Sequence, residues 1–200
     1  MTPLRQVDLV LASTSRYRRE LLARLSDHAR CIAPRVDETP RPGEAPAVLA
    51  ARLAVAKAQN VADSLGPGVV VIGSDQVAEL DGRVFGKPGS DAAAIAQLRA
   101  CAGHELVFHT AVCLIDTRDS RAHVHAAIDS TRVLFRQLTS DEIERYVERE
   151  QPLDCAGSFK AEGLGIGLFE RIDSSDPTAL IGLPMIALCR LLRECDIAPL

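Results

Sequence analysis

Two hundred residues suffice for one α/β-sized core or for two small lobes sharing a cleft, and they exclude a disulfide-stapled miniprotein. With 47% hydrophobic and 25% charged residues the chain has the balance of a globular protein rather than a disordered one. The net charge of −4 supplies no overall positive field for nucleic acid, so any anion must be held locally. Of the 23 basic residues only three are lysine, namely Lys57, Lys87 and Lys160. Either they survive by chance in an arginine-rich composition, or those sites need an ammonium.

No run approaches the ~20 apolar residues of a membrane span, and the N-terminus lacks a signal pattern. A cytoplasmic, non-membrane protein is expected. The six cysteines show no CxxC spacing and stand mostly among apolar neighbours, which predicts free thiols in a reducing compartment.

In chain order, DLVLAS (8 to 13) reads as a buried strand, and the following SRYRRELLARL as a helix with Leu21, Leu22 and Leu25 inward. RCIAP is a second short strand, and the proline-rich, acidic RVDETPRPGEAP is loop. Pro46 to Ser64 is a long Ala-rich helix; VVVIGS (69 to 74) is a fully buried strand with Asp75 at its end. Asp81-Gly82 marks a two-residue hairpin. Ser90 caps a helix that stops at Gly103, and ELVFHTAVCLID and RAHVHAAIDSTRVLFR are longer paired strands. TSDEIERYVERE is a well-capped helix, IGLFERI is strand-like, and the tail from Asp176 is an apolar helix interrupted near Pro184. The expected architecture is a single α/β domain over residues 1–200. A mixed, elongated central sheet is flanked by helices, with two lobes around a cleft near the carboxyl ends of the first and third strands.

Several groups in this layout can carry chemistry. Ser13-Thr14-Ser15-Arg16-Tyr17-Arg18-Arg19 puts three arginines in the first turn of a helix, against its dipole. A polyanion there resolves the conflict; otherwise this is a solvated basic helix end. Lys57 follows Leu49 and Leu53 and precedes Val61 at four-residue spacing, so it either snorkels from the apolar face or points into a cleft. Asp75, after an apolar strand, is a candidate base or metal ligand, and Asp37 and Glu38 add carboxylates for a divalent cation. Lys87 lies in FGKPG, which lacks the spacing and the Ser or Thr of a P-loop, and GLGIG (163 to 167) fails as a dinucleotide fingerprint. Cys155 has no histidine nearby in sequence to make it a nucleophile, and His123 and His125 lack a third metal ligand.

Taken together, LASTSRYRRELL, VDE, the Lys57 helix, GSDQV and GKP resemble the Maf family of nucleoside triphosphate pyrophosphatases along essentially the whole chain. SDQV and CAGSFKAEG resemble its branch acting on 7-methyl-GTP. The resemblance implies cytoplasmic hydrolysis of a nucleoside triphosphate to monophosphate and pyrophosphate, with Mg or Mn as divalent cation. It leaves a homodimer open. By position, Asp75 matches the proton acceptor, and Ser13, Arg18, Arg19, Glu38, Lys57 and Lys87 match phosphate- and metal-handling positions, Glu38 and Asp75 being the metal candidates. Tyr17, Gln76 and Glu162 match positions of substrate choice. Physically, Tyr17 can stack on a positively charged methylated base, Glu162 can accept from its N–H groups, and Gln76 can donate to its carbonyl. Arg16 stands where the family usually has proline, and Lys160 has no role assigned by the resemblance. Two alternatives accompany this reading: the same chemistry on other triphosphates, and a nucleotide-binding regulator suggested by the family's association with septum formation.

Overall fold

The computed structural model describes all 200 residues. The strands are β1 (Thr2–Pro3), β2 (Leu9–Ala12), β3 (Arg30–Ile32), β4 (Val70–Leu80), β5 (Arg83–Phe85), β6 (Glu105–Asp116), β7 (His123–Phe135), β8 (Phe169–Asp173) and β9 (Ile197–Ala198). The helices are α1 (Arg16–Leu22), α2 (Pro46–Leu65), α3 (Asp91–Cys101), α4 (Ser140–Glu150) and α5 (Met185–Glu194). A seven-stranded mixed sheet runs in the order β3-β2-β4-β6-β7-β8, with β5 paired to β4. β2 is parallel to both β3 and β4, whereas β6 is antiparallel to β4 and β7. β1 and β9 form a small parallel pair that joins the termini.

Burial along β6 shows where the sheet is covered. Its first half alternates, with Leu106, Phe108 and Thr110 buried, while from Thr110 to Asp116 every residue is buried. At that end the sheet is sandwiched: α1 and α5 cover one face through Leu21, Leu22, Leu188 and Leu192 against Ile72, Val112 and Leu114. α2 covers the other through Leu53, Ala54, Ala58 and Val61 against Val71, Cys113 and Ile115. The far end has a separate core built on α3, α4 and four phenylalanines, Phe108, Phe135, Phe159 and Phe169, packed edge to face. These are the two expected lobes.

One contact fixes α2 on the sheet. A Cβ on Gly73 would lie 2.2 Å from the Ala54 carbonyl oxygen and 2.6 Å from the Ala58 nitrogen. Glycine at that point of β4 lets the helix backbone rest directly on the strand, with Ala50, Ala54, Ala58 and Ala62 as its contact stripe. Lys57, one residue before Ala58, is thereby carried down to sheet level.

Two expectations about local structure need correction. Asp75 does not end its strand: β4 runs on to Leu80, because β6 pairs with it all along, Asp75 standing opposite Ala111. What ends is its other neighbour, since β2 stops at Ala12, opposite Gly73. The tail is not an interrupted helix either. Residues 174–184 form turns and α5 begins only after Pro184, whose ring cannot continue a preceding helix. The Asp81-Gly82 turn, the Ser90 cap and the Thr139–Glu142 capping box are as read from the sequence. No helix is long and apolar enough to cross a membrane.

Candidate active site

Because β2 stops opposite Gly73 of β4 and β5 pairs only from Ala78, the edge of β4 from Ser74 to Val77 is open, and α1 follows β2 beside this gap. The opening is a cleft of about 680 Å³ between the lobes. Every residue singled out by the resemblance lines it except Arg19: Ser13, Tyr17, Arg18, Glu38, Lys57, Asp75, Gln76, Lys87 and Glu162. Arg19 is exposed outside it, one helical step past Arg18, and its expected phosphate role finds no support in its placement.

At the centre the Lys57 ammonium donates to Asp75 Oδ1 at 2.6 Å and contacts Glu38 Oε1 at 2.7 Å. Lys57 and Asp75 are each only 6% exposed, whereas the Glu38 side chain is 60% exposed. The inward reading of Lys57 is therefore the correct one. Desolvating such a pair is costly unless both partners stay matched. Asp75 Oδ2 has no protein donor, and Asp75 lines the cleft. The loop bearing Glu38 is pinned to α2 by Arg52, which binds Glu44 at 2.6 Å and the Thr39 carbonyl at 3.1 Å. Asp37 instead caps its own turn, accepting from Thr39 N, and stays out of the cleft.

Serines organise the entry to α1. Ser15 Oγ caps the helix by accepting from Arg18 N, and Ser13 Oγ accepts from Ser15 N, which leaves the Ser13 hydroxyl hydrogen to donate into the cleft. Arg18 Nε donates to the Gly182 carbonyl at 2.8 Å, leaving the terminal nitrogens of this cleft-lining residue without a protein acceptor. Burial pulls the Arg18 guanidinium below its ordinary value, opposed by Asp75 and Glu38, and it stays a cation. Lys87, in the loop after β5, is exposed on the opposite wall. Arg16, in the position of the usual proline, lies over the Tyr17 ring with its guanidinium carbon 4.7 Å from the centroid. Burial raises the Tyr17 phenol, so it is neutral, and raises the Cys155 thiol to about 11. A thiol held that high is not a nucleophile at neutral pH, as expected for Cys155.

Gln76 reverses one expectation. Its Nε2 donates to the carbonyls of Ala179 and Leu180 at 2.9 and 3.1 Å and approaches Thr110 Oγ1 at 3.0 Å. The Thr110 hydroxyl itself donates to Ala179 O. With its amide hydrogens spent on the 174–184 turn, Gln76 can offer the cleft only Oε1. It is an acceptor, not the donor proposed from sequence.

That turn is the part sequence reasoning missed. Buried Asp176 accepts from Thr178 N and Ile186 N, fastening the turn to the start of α5. Ser74 donates to Gly182 O, and Ser175 donates to Asp129. The available signal was polar Ser74, Gln76 and Thr110 on a sheet face otherwise made of Ile72, Val112 and Leu114.

The arrangement defines an α/β protein whose cleft sets the basic side chains Arg18 and Lys87 beside a carboxylate fixed by a buried lysine. A family model described as Maf-like protein matches residues 8–195, and the chain belongs to the Maf family. It is 59% identical over 186 residues to a protein of Xanthomonas oryzae pv. oryzae named 7-methyl-GTP pyrophosphatase, covering 93% of this chain and 95% of that one. It is 53% identical over 187 residues to a protein of the same name from Burkholderia thailandensis, covering 92% and 86%. Among solved structures, a Staphylococcus aureus Ham1 protein aligns with a TM-score of 0.47 at 18% identity, over 94% of this chain and 98% of that one.

Proposed function

We propose that this chain is a nucleoside triphosphate pyrophosphatase that hydrolyses 7-methyl-GTP to 7-methyl-GMP and pyrophosphate, residues 1–200 acting as one catalytic unit. The observation that carries the chemistry is the buried Lys57–Asp75 pair at the floor of a cleft whose walls present Arg18 and Lys87. The choice of base rests on the relatives bearing that activity in their names.

Attack on the α-phosphorus needs a water in line, a neutralised triphosphate and a stabilised pyrophosphate leaving group. Lys57 holds Asp75 by Oδ1, and Oδ2 takes the proton of the water as its oxygen bonds to phosphorus and the bond to the β-phosphate breaks. Arg18, the Ser13 hydroxyl and Lys87 hold phosphate oxygens, with the ammonium of Lys87 following them as the leaving group departs. Tyr17 stacks on the cationic base, Glu162 accepts from its N–H groups, and Gln76 Oε1 accepts a further hydrogen. An apolar recess of about 400 Å³, sharing Glu162 and Leu180 with the cleft, adjoins this base end.

A divalent cation belongs to this reading. The chain has no cluster of three or more His, Cys, Asp or Glu side chains that could cage a metal. It does have two carboxylates, Glu38 and Asp75, in contact with one nitrogen. Two carboxylates completed by substrate phosphates suit Mg or Mn, so the donor set fits, and Glu38 and Asp75 would hold the ion. When bound it neutralises phosphate charge. Six unpaired cysteines support a reducing compartment, the cytoplasm.

A purely nucleotide-binding regulator would gain nothing from a carboxylate facing phosphates at the cost of desolvating it. The deciding experiment measures pyrophosphate release from canonical and 7-methylated triphosphates with Mg or Mn, for wild type and Asp75→Asn. Wild type should prefer 7-methyl-GTP, and Asp75→Asn should lose at least about 10²-fold in kcat while melting cooperatively. No release from any triphosphate would overturn the enzymatic reading.

A further inference from the structure

Lys160 is the lysine without a role in the cleft, and it does not line it. Its ammonium points back at α4, donating to the carbonyls of Glu150 and Gln151 at 2.6 and 3.4 Å, with Glu150 Oε1 3.4 Å away. These are the last carbonyls of a helix, where unpaired acceptors and the negative end of the dipole favour a compact cation.

The backbone of Lys160 is equally committed. Its N–H donates to the buried Tyr146 hydroxyl, and its carbonyl accepts from both Gly163 N and Gly165 N. Glu150 closes the ring, because its Oε2 accepts from Leu164 N at 2.7 Å. Gly165 is required by contact, since a Cβ there would lie 2.4 Å from the Lys160 carbonyl oxygen, while one on Gly163 would lie 2.6 Å from Glu150 Oε2 and displace that carboxylate from its place in the ring. Residues 160 and 164 are thus both tied to the end of α4, and between them stands Glu162, exposed, lining the cleft and with no ion pair of its own.

We propose that Lys160 and Glu150 are positioning residues for base selection, clamping the 160–165 turn so that Glu162 presents a free carboxylate to the nucleotide. The inference rests on Glu162 accepting from the base, and its test separates the two. The variants are Lys160→Met, Lys160→Arg, Glu162→Gln and the double variant Lys160→Met/Glu162→Gln. Each is assayed for kcat and KM with 7-methyl-GTP and GTP, and for competition by tripolyphosphate, which has no base.

A clamp predicts that Lys160→Met raises KM for 7-methyl-GTP by about tenfold, with kcat within about twofold and tripolyphosphate inhibition unchanged. Lys160→Arg should recover most of the loss, and the double variant should be no worse than Glu162→Gln alone. If Glu162→Gln loses selectivity and Lys160→Met does not, the clamp is wrong and Glu162 keeps its role. If Glu162→Gln changes nothing, the base-reading role falls and the clamp with it. Equal losses for both nucleotides together with weaker tripolyphosphate binding would make Lys160 a merely structural residue. Should Lys160→Met fail to fold, Glu150→Gln replaces it, keeping an acceptor for Leu164 N–H while removing the charge facing Lys160.

Discussion

A glutamine is the least predictable hydrogen-bonding side chain in a sequence, since it can donate, accept or do both. In this cleft Gln76 is committed by carbonyls at Ala179 and Leu180, more than a hundred residues away in the chain, and no local pattern could reveal that. Lys57 was legible, because its four-residue spacing with Leu49, Leu53 and Val61 put it on the buried face whatever it met there. Lys160 was not, because its partners belong to α4 and it serves the cleft only through a turn. An acceptor-only Gln76 has a consequence for substrate analogues. Wild type should favour 7-methyl-GTP over 7-methyl-ITP, which lacks the exocyclic amine, and Gln76→Ala should shrink that ratio by about 5- to 10-fold. An unchanged ratio in competition assays would mean that Oε1 does not meet the amine.

At the level of elements, the run Ser74-Asp75-Gln76 resembles a strand end because polar residues interrupt an apolar one. β4 continues because β6 supplies partners through Glu79, a fact written in a different segment. The capped helices and the Asp-Gly hairpin were readable because their signals are local. The contact of Gly73 with α2 makes a sharp prediction. Gly73→Ala must push the helix backbone off β4, costing about 1–3 kcal/mol of stability by overpacking, and it should reduce kcat more than KM by moving Lys57 from Asp75. Denaturant unfolding and steady-state kinetics check the two halves. The packed elements also bury titratable thiols: desolvation pushes Cys101 and Cys113 each up to about 12 from an ordinary 9.0. The unfolded chain releases those protons first, so the stability they contribute is whole below about pH 9 and declines as pH rises toward 12. Urea midpoints followed from pH 7 to 10.5 should fall less steeply in a Cys101→Ala/Cys113→Ala variant than in wild type.

Across the whole molecule, the alternation of strands and helices announced an α/β protein, and the motifs marked one cleft. The loop from Ser174 to Pro184, which locks Ser74, Gln76 and Arg18, went unread as a site element because its contribution is backbone carbonyls. The net charge of −4 means that the protein as a whole repels a triphosphate, and in the cleft Arg16, Arg18, Lys57 and Lys87 are matched by Glu38, Asp75, Asp154 and Glu162. Attraction for phosphates is therefore local to Arg18 and Lys87, which carry no ion pair, whereas Lys57 is paired with Glu38 and Asp75. Screening acts over about 10 Å at 0.1 M salt, so raising ionic strength should increase KM for 7-methyl-GTP while leaving kcat nearly constant. A KM insensitive to salt would argue against charge-led capture. The two cores have a further meaning for how such a protein can diversify. Asp75 and Lys57 are fixed by the sandwiched lobe, whereas Glu162 rides on a short turn fastened to the other. On the proposed roles the Glu162 contact is separable from bond cleavage, whereas Tyr17 on α1 and Gln76 on β4 stay with the hydrolytic lobe. Grafting a different 160–165 turn against the end of α4 is a route to altered base choice that leaves Asp75 and Lys57 in place.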